Sequence, residues 1–464
     1  MTAADERIAR LEAQIEALLA RIAKLEEENA ELRRRLGENS TNSSKPPSTD
    51  SPADRAARRK ATPSGKPRGG QPGHKGHKRT FLPPKQVRSS TDCFPEACRR
   101  CGDALPKRRD PDPVRHQVID LPKVEPVADD YWQHRVTCAC GEVTCGTLPA
   151  GVPQGMLGPQ VLALIAVLTA DGHMSRRKVQ ALLRDAFGID VSLGALSESE
   201  QIVSDAVAPA VEEARQHALA EKVKHVDGTS WSEAGAYRSL WTLATATVTV
   251  FVIVGDATRA TLRTWIDNVK GVLVSDRGAQ FDFWVLGRRQ ICWAHLIRKF
   301  AAFAERRGRP GAIGRDLLLC SSVLLHTWHR VRDGTTTRTE LRRAATNLRA
   351  IMEARLEEGA RLSVKGFSGA CRNILDHRDA MWRFVETSSV DPTNNHAERE
   401  LRGLVCWRRS TGGSRSERGN QFAANLKSVI HTCRKQRRHV LTYLDSAIHA
   451  ALRNRKTPSL IAPA

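Results

Sequence analysis

The spacing of apolar residues along this chain changes period several times, and each change marks an element. In the first 36 residues Ile8, Ile15 and Ile22 fall at one position of a seven-residue repeat and Leu11, Leu18, Leu25 and Leu32 at the other, with Asn29 and Leu36 completing the first series. This is the seam of a parallel two-stranded coil carrying one polar register residue, so residues 1–38 are expected to form a dimerising zipper. Large apolar residues then almost vanish. Residues 39–90, with "SSKPPSTD" and "PSGKPRGGQPGHKGHK", cannot bury a core and are expected to be a disordered linker.

A helical period takes over from 155 to 215. "GPQVLALIAVLTADGH" has one apolar face, and "SRRKVQALLRDAFGIDVSLGALSESEQIV" reads as helix, glycine turn and second helix, so 151–218 is expected to be a helix-turn-helix-like DNA-binding region. Strand texture follows. "KVKHVDGTSW" is an apolar strand ending in Asp227, "YRSLWTLATA" and "TVTVFVIVG" are two more, "TRATLRTWIDNV" is a helix, "GVLVSD" is a buried strand ending in Asp276, and "RRQICWAH" is a short strand entering the helix "AHLIRKFAAFAE". Three strands, helix, strand, helix, strand, helix is the order of a ribonuclease-H-like α/β core. Its expected limits are 219–305 plus 386–430, with an all-helical insertion at 306–385 and a helical tail at 431–464.

Charge then narrows the function. The chain has 464 residues and a formal charge of +22, so a polyanion is the first partner to test, because Lys and Arg displace counterions from phosphates. From Lys45 to Arg88 twelve Lys and Arg face only Asp50 and Asp54, which adds a loose contact with DNA backbone to the linker's role. No apolar signal core opens the chain and no run of about 18 apolar residues crosses a bilayer, which points to a cytoplasmic, nucleoid-associated protein.

Six of the eleven cysteines lie between 93 and 145. Cys98 and Cys101 form C-x-x-C, and Cys138 and Cys140 form C-x-C 37 residues later. Two such knuckles make a four-thiolate zinc ribbon over 91–150, with Cys93 or Cys145 as substitutes for a member of the set.

Asp227 and Asp276 would end neighbouring central strands, where two carboxylates repel unless a cation lies between them. Magnesium, or manganese, takes hard oxygen ligands, and two ions per site can activate a hydroxyl and stabilise the leaving oxygen of a phosphodiester. The third carboxylate is sought in "DPTNNHAEREL". There Glu398 is either the acidic half of a capping box begun by Asn395 or a metal ligand presented by the helix. Asp256 and Asp282 are rival carboxylates, and Glu400 is the next after Glu398.

"NSTNSSKPPSTD", the cysteine ribbon, "HVDGTSW", "LVSD", "CWAHLIRKF" and "DPTNNHAERELRGLV", in that order, resemble the transposases of the insertion-sequence-sixty-six family over nearly the whole chain. The resemblance implies a DDE transposase with Asp227, Asp276 and Glu398 as its metal-binding triad and an amino-terminal zinc-binding region. It implies double-stranded DNA partners, namely terminal inverted repeats and target DNA, and two small accessory proteins. The family usually has an acidic residue after the first aspartate; Gly228 stands here. Arg402 and Arg409 follow Glu398 along one helix face and are expected to touch DNA phosphates, as are His295 in "CWAH" and Arg176, Arg177 and Lys178 of the helix-turn-helix. The rival class is a zinc-ribbon regulator with a degenerate core.

Overall fold

The computed structural model describes residues 80–122, 124–266 and 270–461, together with positions 21, 50 and 53. The zipper and most of the basic linker lie outside the described residues. The chain divides into two compact units, one of residues 53–125 and one containing 126–464. In the first, a 3-10 turn spans Pro84–Gln86, the Arg115 guanidinium sits 4.7 Å from the Phe81 ring, and a single bridge joins Ala97 to Ala104.

The second unit begins with a hairpin, β1 (Arg135–Thr137) and β2 (Val143–Cys145). Three helices follow: α1 (Pro159–Ala170), α2 (Arg176–Phe187) and α3 (Leu193–Ala220). Ser175 and Ser192 cap α2 and α3 by accepting from backbone amides, and Gly188 ends α2 with a φ of +66° that an L side chain resists. The sheet then forms from β3 (Val223–Glu233), β4 (Ala236–Ala244), β5 (Thr249–Val254), β6 (Val272–Ser275) and β7 (Arg289–Ile291), in the order β5-β4-β3-β6-β7. The first three strands are antiparallel neighbours, whereas β6 and β7 run parallel to β3. Helix α4 (Arg259–Trp265) makes the crossover from β5 to β6.

One expected helix is absent. Between β6 and β7 the chain makes two 3-10 turns, Ala279–Phe281 and Leu286–Arg288. Asp282 therefore lies at the end of a turn, where Arg259, Arg289 and His377 hold it.

After β7 come α5 (Trp293–Ala304), α6 (Gly308–Arg332), α7 (Arg338–Arg361), α8 (Ser368–Asp376) and the short α9 (Arg383–Glu386). The chain then returns through α10 (Asn395–Thr411), α11 (Glu417–Lys435) and α12 (Val440–Leu452). Two apolar cores result. One joins α1–α3, α10–α12 and strands β3–β5 through residues such as Leu183, Val207, Leu243, Phe251 and Leu444. The other, with Trp293, Phe300, Leu317, Met352 and Phe384, joins β6, β7 and the helices from α5 to α9. Burial of each such Leu or Phe is worth about 1.5–3 kcal/mol, so both cores hold the sheet between them. Among the described residues no helix is long and apolar enough to cross a membrane.

Candidate active site

Strand pairing brings the two aspartates level. Strands β3 and β6 pair in parallel with His225 opposite Val274, and two residues further on along each lie Asp227 and Asp276. Both are half-buried; Asp276 directly follows the end of β6, whereas Asp227 lies inside β3, which does not end there as expected but runs on to Glu233 in its pairing with β4. The Asp276 carboxylate accepts from the Gly278 amide at 2.9 Å, which fixes the turn leaving β6.

The third group arrives by a different route, through two helix starts stitched together. The Trp293 amide at the head of α5 donates to the Pro392 carbonyl at 2.9 Å, and the Asn394 amide donates to Cys292 Sγ at 3.1 Å. Asn394 is the N-cap of α10, yet its side chain makes no cap bond. Its Nδ2 donates to the Val226 carbonyl at 2.8 Å and its Oδ1 lies 3.2 Å from His225 Nδ1, so this buried amide bolts α10 to the strand that carries Asp227. The His396 ring lies against His225 with centroids 5.0 Å apart, and burial pushes His225 down to about 3, a neutral ring.

Glu398 thus begins the second turn of α10, one position beyond a capping box. Its amide makes an ordinary helical bond to the Asn394 carbonyl, and its Oε1 is buried with no hydrogen-bond partner. The capping reading of "DPTNNHAEREL" fails because the helix starts one residue earlier than that reading needs, with Asn394 rather than Asn395 as the N-cap.

The electrostatics agree with this placement. Burial, and then the charges of Asp276 and Glu398, push the Asp227 carboxyl up from 3.8 to about 7 against the opposing pull of the Gly228 amide and Arg298. A carboxyl that prefers a proton near neutrality, beside two more carboxylates, is short of positive charge. All three offer hard oxygens, the donor type that magnesium takes. His295, on the first turn of α5, has Nδ1 3.9 Å from Glu398 Oε1, and burial and Arg298 lower its affinity for a proton.

The rival carboxylates are engaged elsewhere. Asp256 follows edge strand β5 and accepts from the Thr258 amide at 2.8 Å. Glu400, two residues from Glu398, accepts from His431 at 2.5 Å and pairs with Lys435 at 3.2 Å. These partners outweigh its burial and hold it at about 2.

The expected DNA contacts divide. Arg402 and Arg409 are exposed on α10, at helical angles close to that of Glu398, and Arg177 and Lys178 are exposed at the head of α2. Arg176 is instead tied to the buried Glu200 at 2.5 Å. Helix α3, which would have to read a groove, presents Glu198 and Asp205 outward and has no Lys or Arg before Arg215, while its other face is core. That composition repels phosphates.

Arg277 and Arg298 flank the carboxylates and are absent from the sequence-based candidates. Arg277 follows Asp276 and has a buried Nη1 without a partner; Arg298 pulls on Asp227 and lies three residues after His295. The i, i+3 spacing of His295 and Arg298 was the available signal. The cysteine pairs lie on separate tight turns, each in its own unit. The Cys98 amide donates to the Asp103 carbonyl and the Gly102 amide to the Cys98 carbonyl; the Cys138 and Gly141 amides do the same with Glu142 and Cys138. In each turn the backbone amides beside the sulfur lower the first thiol's hold on its proton.

A mixed sheet flanked by helices thus carries Asp227 and Asp276 on adjacent central strands, with the charge of Glu398 on α10 reaching Asp227. A family model described as "Transposase IS66 family" matches residues 154–422, more than half of the chain. The chain belongs to that transposase family. Residues 2–80 match a model described as a family of unknown function (DUF6444), and no curated protein matches the chain.

Proposed function

We propose that this protein is the DDE transposase of an insertion sequence, cutting DNA at the ends of its element and joining the freed 3′ hydroxyl to target DNA. The observation that carries the proposal is the effect on Asp227 of β3 of the charges of Asp276, after β6, and Glu398, on α10, which together with burial push its carboxyl up to about 7. On this reading the core is ribonuclease-H-like. Asp227, which feels the charge of both Asp276 and Glu398, would hold a divalent ion together with them.

Two magnesium or manganese ions, when bound, supply an activated hydroxyl and charge neutralisation at the leaving oxygen. The chain's own residues do the rest. Asp227, Asp276 and Glu398 fix where positive charge can sit. Arg277 and Arg298 bind the scissile phosphate with their positive charge. Arg402 and Arg409 continue along α10 and hold flanking phosphates, orienting the strand before reaction. His295 stays neutral and positions the attacking water. No covalent intermediate with the protein is needed.

The zipper at 1–38 pairs two chains, as holding two element ends requires, and the basic linker adds non-specific affinity. A structural zinc on Cys98, Cys101, Cys138 and Cys140 remains the reading of the cysteine spacing, and about one zinc per chain in purified protein is its test. The central experiment is strand nicking and strand transfer on a labelled terminal-repeat duplex in magnesium, with binding followed separately by gel shift. Wild type nicks and joins; a wild-type protein that binds the repeats and never cuts them ends the proposal.

A further inference from the structure

The helix start that positions Glu398 also gathers a second kind of ligand. Cys292 is the N-cap of α5 and His295 lies on its first turn, while Glu398 reaches them from α10. One ligand atom from each of the three lies within 4.8 Å of the other two. Among the described residues this is the one group of three or more Cys, His, Asp and Glu side chains so disposed. His295 Nδ1 and Glu398 Oε1 are both buried and both lack a hydrogen-bond partner. Cys292 is fully buried, and the Asn394 amide points at its sulfur at 3.1 Å, as amides do toward metal-bound thiolates.

Magnesium has no use for such a set, because it takes hard oxygen donors whereas a thiolate is soft and an imidazole borderline. A sulfur, a nitrogen and a carboxylate oxygen, with a fourth position open to water, make the donor set of a zinc site. We propose that Cys292, His295 and Glu398 form a second metal site, selective for borderline-soft divalent cations such as zinc, cobalt and cadmium, and that its occupation switches cleavage off. Cys292 gives up its thiol proton to solvent on binding; His295 and Glu398 donate lone pairs, and nothing is oxidised or reduced. Glu398 then serves the soft ion and is withdrawn from Asp227 and Asp276. Because thiolate and imidazole bind zinc far more tightly than they bind the hard magnesium ion, trace zinc displaces a large excess of magnesium at this position.

The inhibitory half of this inference rests on Glu398 being part of the cleavage site; the binding half does not. The test therefore has a spectroscopic arm and a kinetic arm, both on the full chain. Cobalt titrated into wild type gives a thiolate-to-cobalt charge-transfer band, part of which disappears in Cys292→Ser and survives in the Cys98→Ser/Cys101→Ser double variant. His295→Gln and Glu398→Gln, which keep Cys292 and its packing, each weaken the Cys292-dependent part at least about tenfold. A band indifferent to all three changes overturns the site. In the kinetic arm, zinc far below the magnesium concentration stops cleavage by wild type, and Cys292→Ser needs at least about tenfold more zinc for the same effect. Equal zinc sensitivity of the two overturns the switch. Cobalt binding in a wild-type protein that never cuts upholds the site and places the failure on the transposase reading.

Discussion

Glu398 and Glu400 lie two residues apart on one helix and have opposite fates. Glu400 turns toward α11, where His431 and Lys435 satisfy it and hold it fully ionised. Glu398 turns toward the side where its charge acts on Asp227 of β3, and keeps a buried oxygen without a donor. A carboxylate already paired with cations stabilises the fold and has little left to offer a metal. An unpaired one costs stability, and that cost makes sense when something else binds there.

The sharpest way to break this contrast is to neutralise each glutamate in turn. Glu398→Gln should lower strand cleavage by about three orders of magnitude or more while leaving the melting temperature and repeat binding nearly unchanged. Glu400→Gln should do the reverse. Removing one partner of a largely buried ion network costs about 3 kcal/mol, read as a lower urea midpoint, with cleavage reduced only in proportion to the folded fraction. Cleavage lost in both variants alike would make Glu400 part of the site and erase the distinction.

Asp227 allows the same contrast to be read as pH dependence. Its folded carboxyl titrates near 7 against 3.8 ordinarily, so the folded state holds the proton more tightly than the unfolded chain. The associated stability is fully present below about pH 4 and is lost as pH rises through about 7. At about 1.4 kcal/mol per unit, metal-free wild type at pH 8 should be less stable than Asp227→Asn by at most about 4 kcal/mol, and the two should converge at pH 4. Saturating magnesium should reverse the order at pH 8, since a ligand that binds only the folded state stabilises the protein able to bind it. Thermal melts at the two pH values, with and without magnesium, test both halves. An Asp227→Asn variant no more stable at pH 8 without metal would mean that the carboxyl is not short of charge.

What the sequence made legible follows periodicity. Five strands, their flanking helices and the end-of-strand position of Asp276 could be read because alternation and apolar runs are local signals; the strand expected to end at Asp227 instead runs on to Glu233, because its far half pairs with β4. The missing helix between β6 and β7 was not legible, since "GAQFDFWVLG" is apolar enough for a helix yet is spent on two turns that bury Phe281 and Trp284. The start of α10 was missed by one residue for a related reason: Asn394 has a cap residue's side chain, but tertiary bonds to Val226 and His225 claim it. The acidic outer face of α3 was plain in the letters, and a helix-turn-helix pattern took precedence over it. Arg277 and Arg298 become visible only when strand ends and helix starts meet in space.

The smallest expected effect concerns Gly228, where the family resemblance implies an acidic residue. Gly228 follows Asp227 on β3 and pairs with Trp241 on β4. A Cβ at that position would sit 2.5 Å from Trp241 Cζ3, closer than carbon atoms tolerate, and Trp241 is itself buried edge-on against Phe281. The indole therefore fills the space that a side chain at 228 would need, and the pair acts as one unit of glycine and tryptophan across two strands. Gly228→Ala should cost about 1–3 kcal/mol through overpacking beside the carboxylate, and Gly228→Glu more. Trimming the partner should relieve it: with Trp241→Ala in the background, Gly228→Ala should become nearly neutral, although the tryptophan loss alone costs about 3–5 kcal/mol. A double-mutant cycle in urea reads the coupling directly. Additive costs would show that the glycine answers to something other than Trp241, and would return the question to the cleavage site beside it.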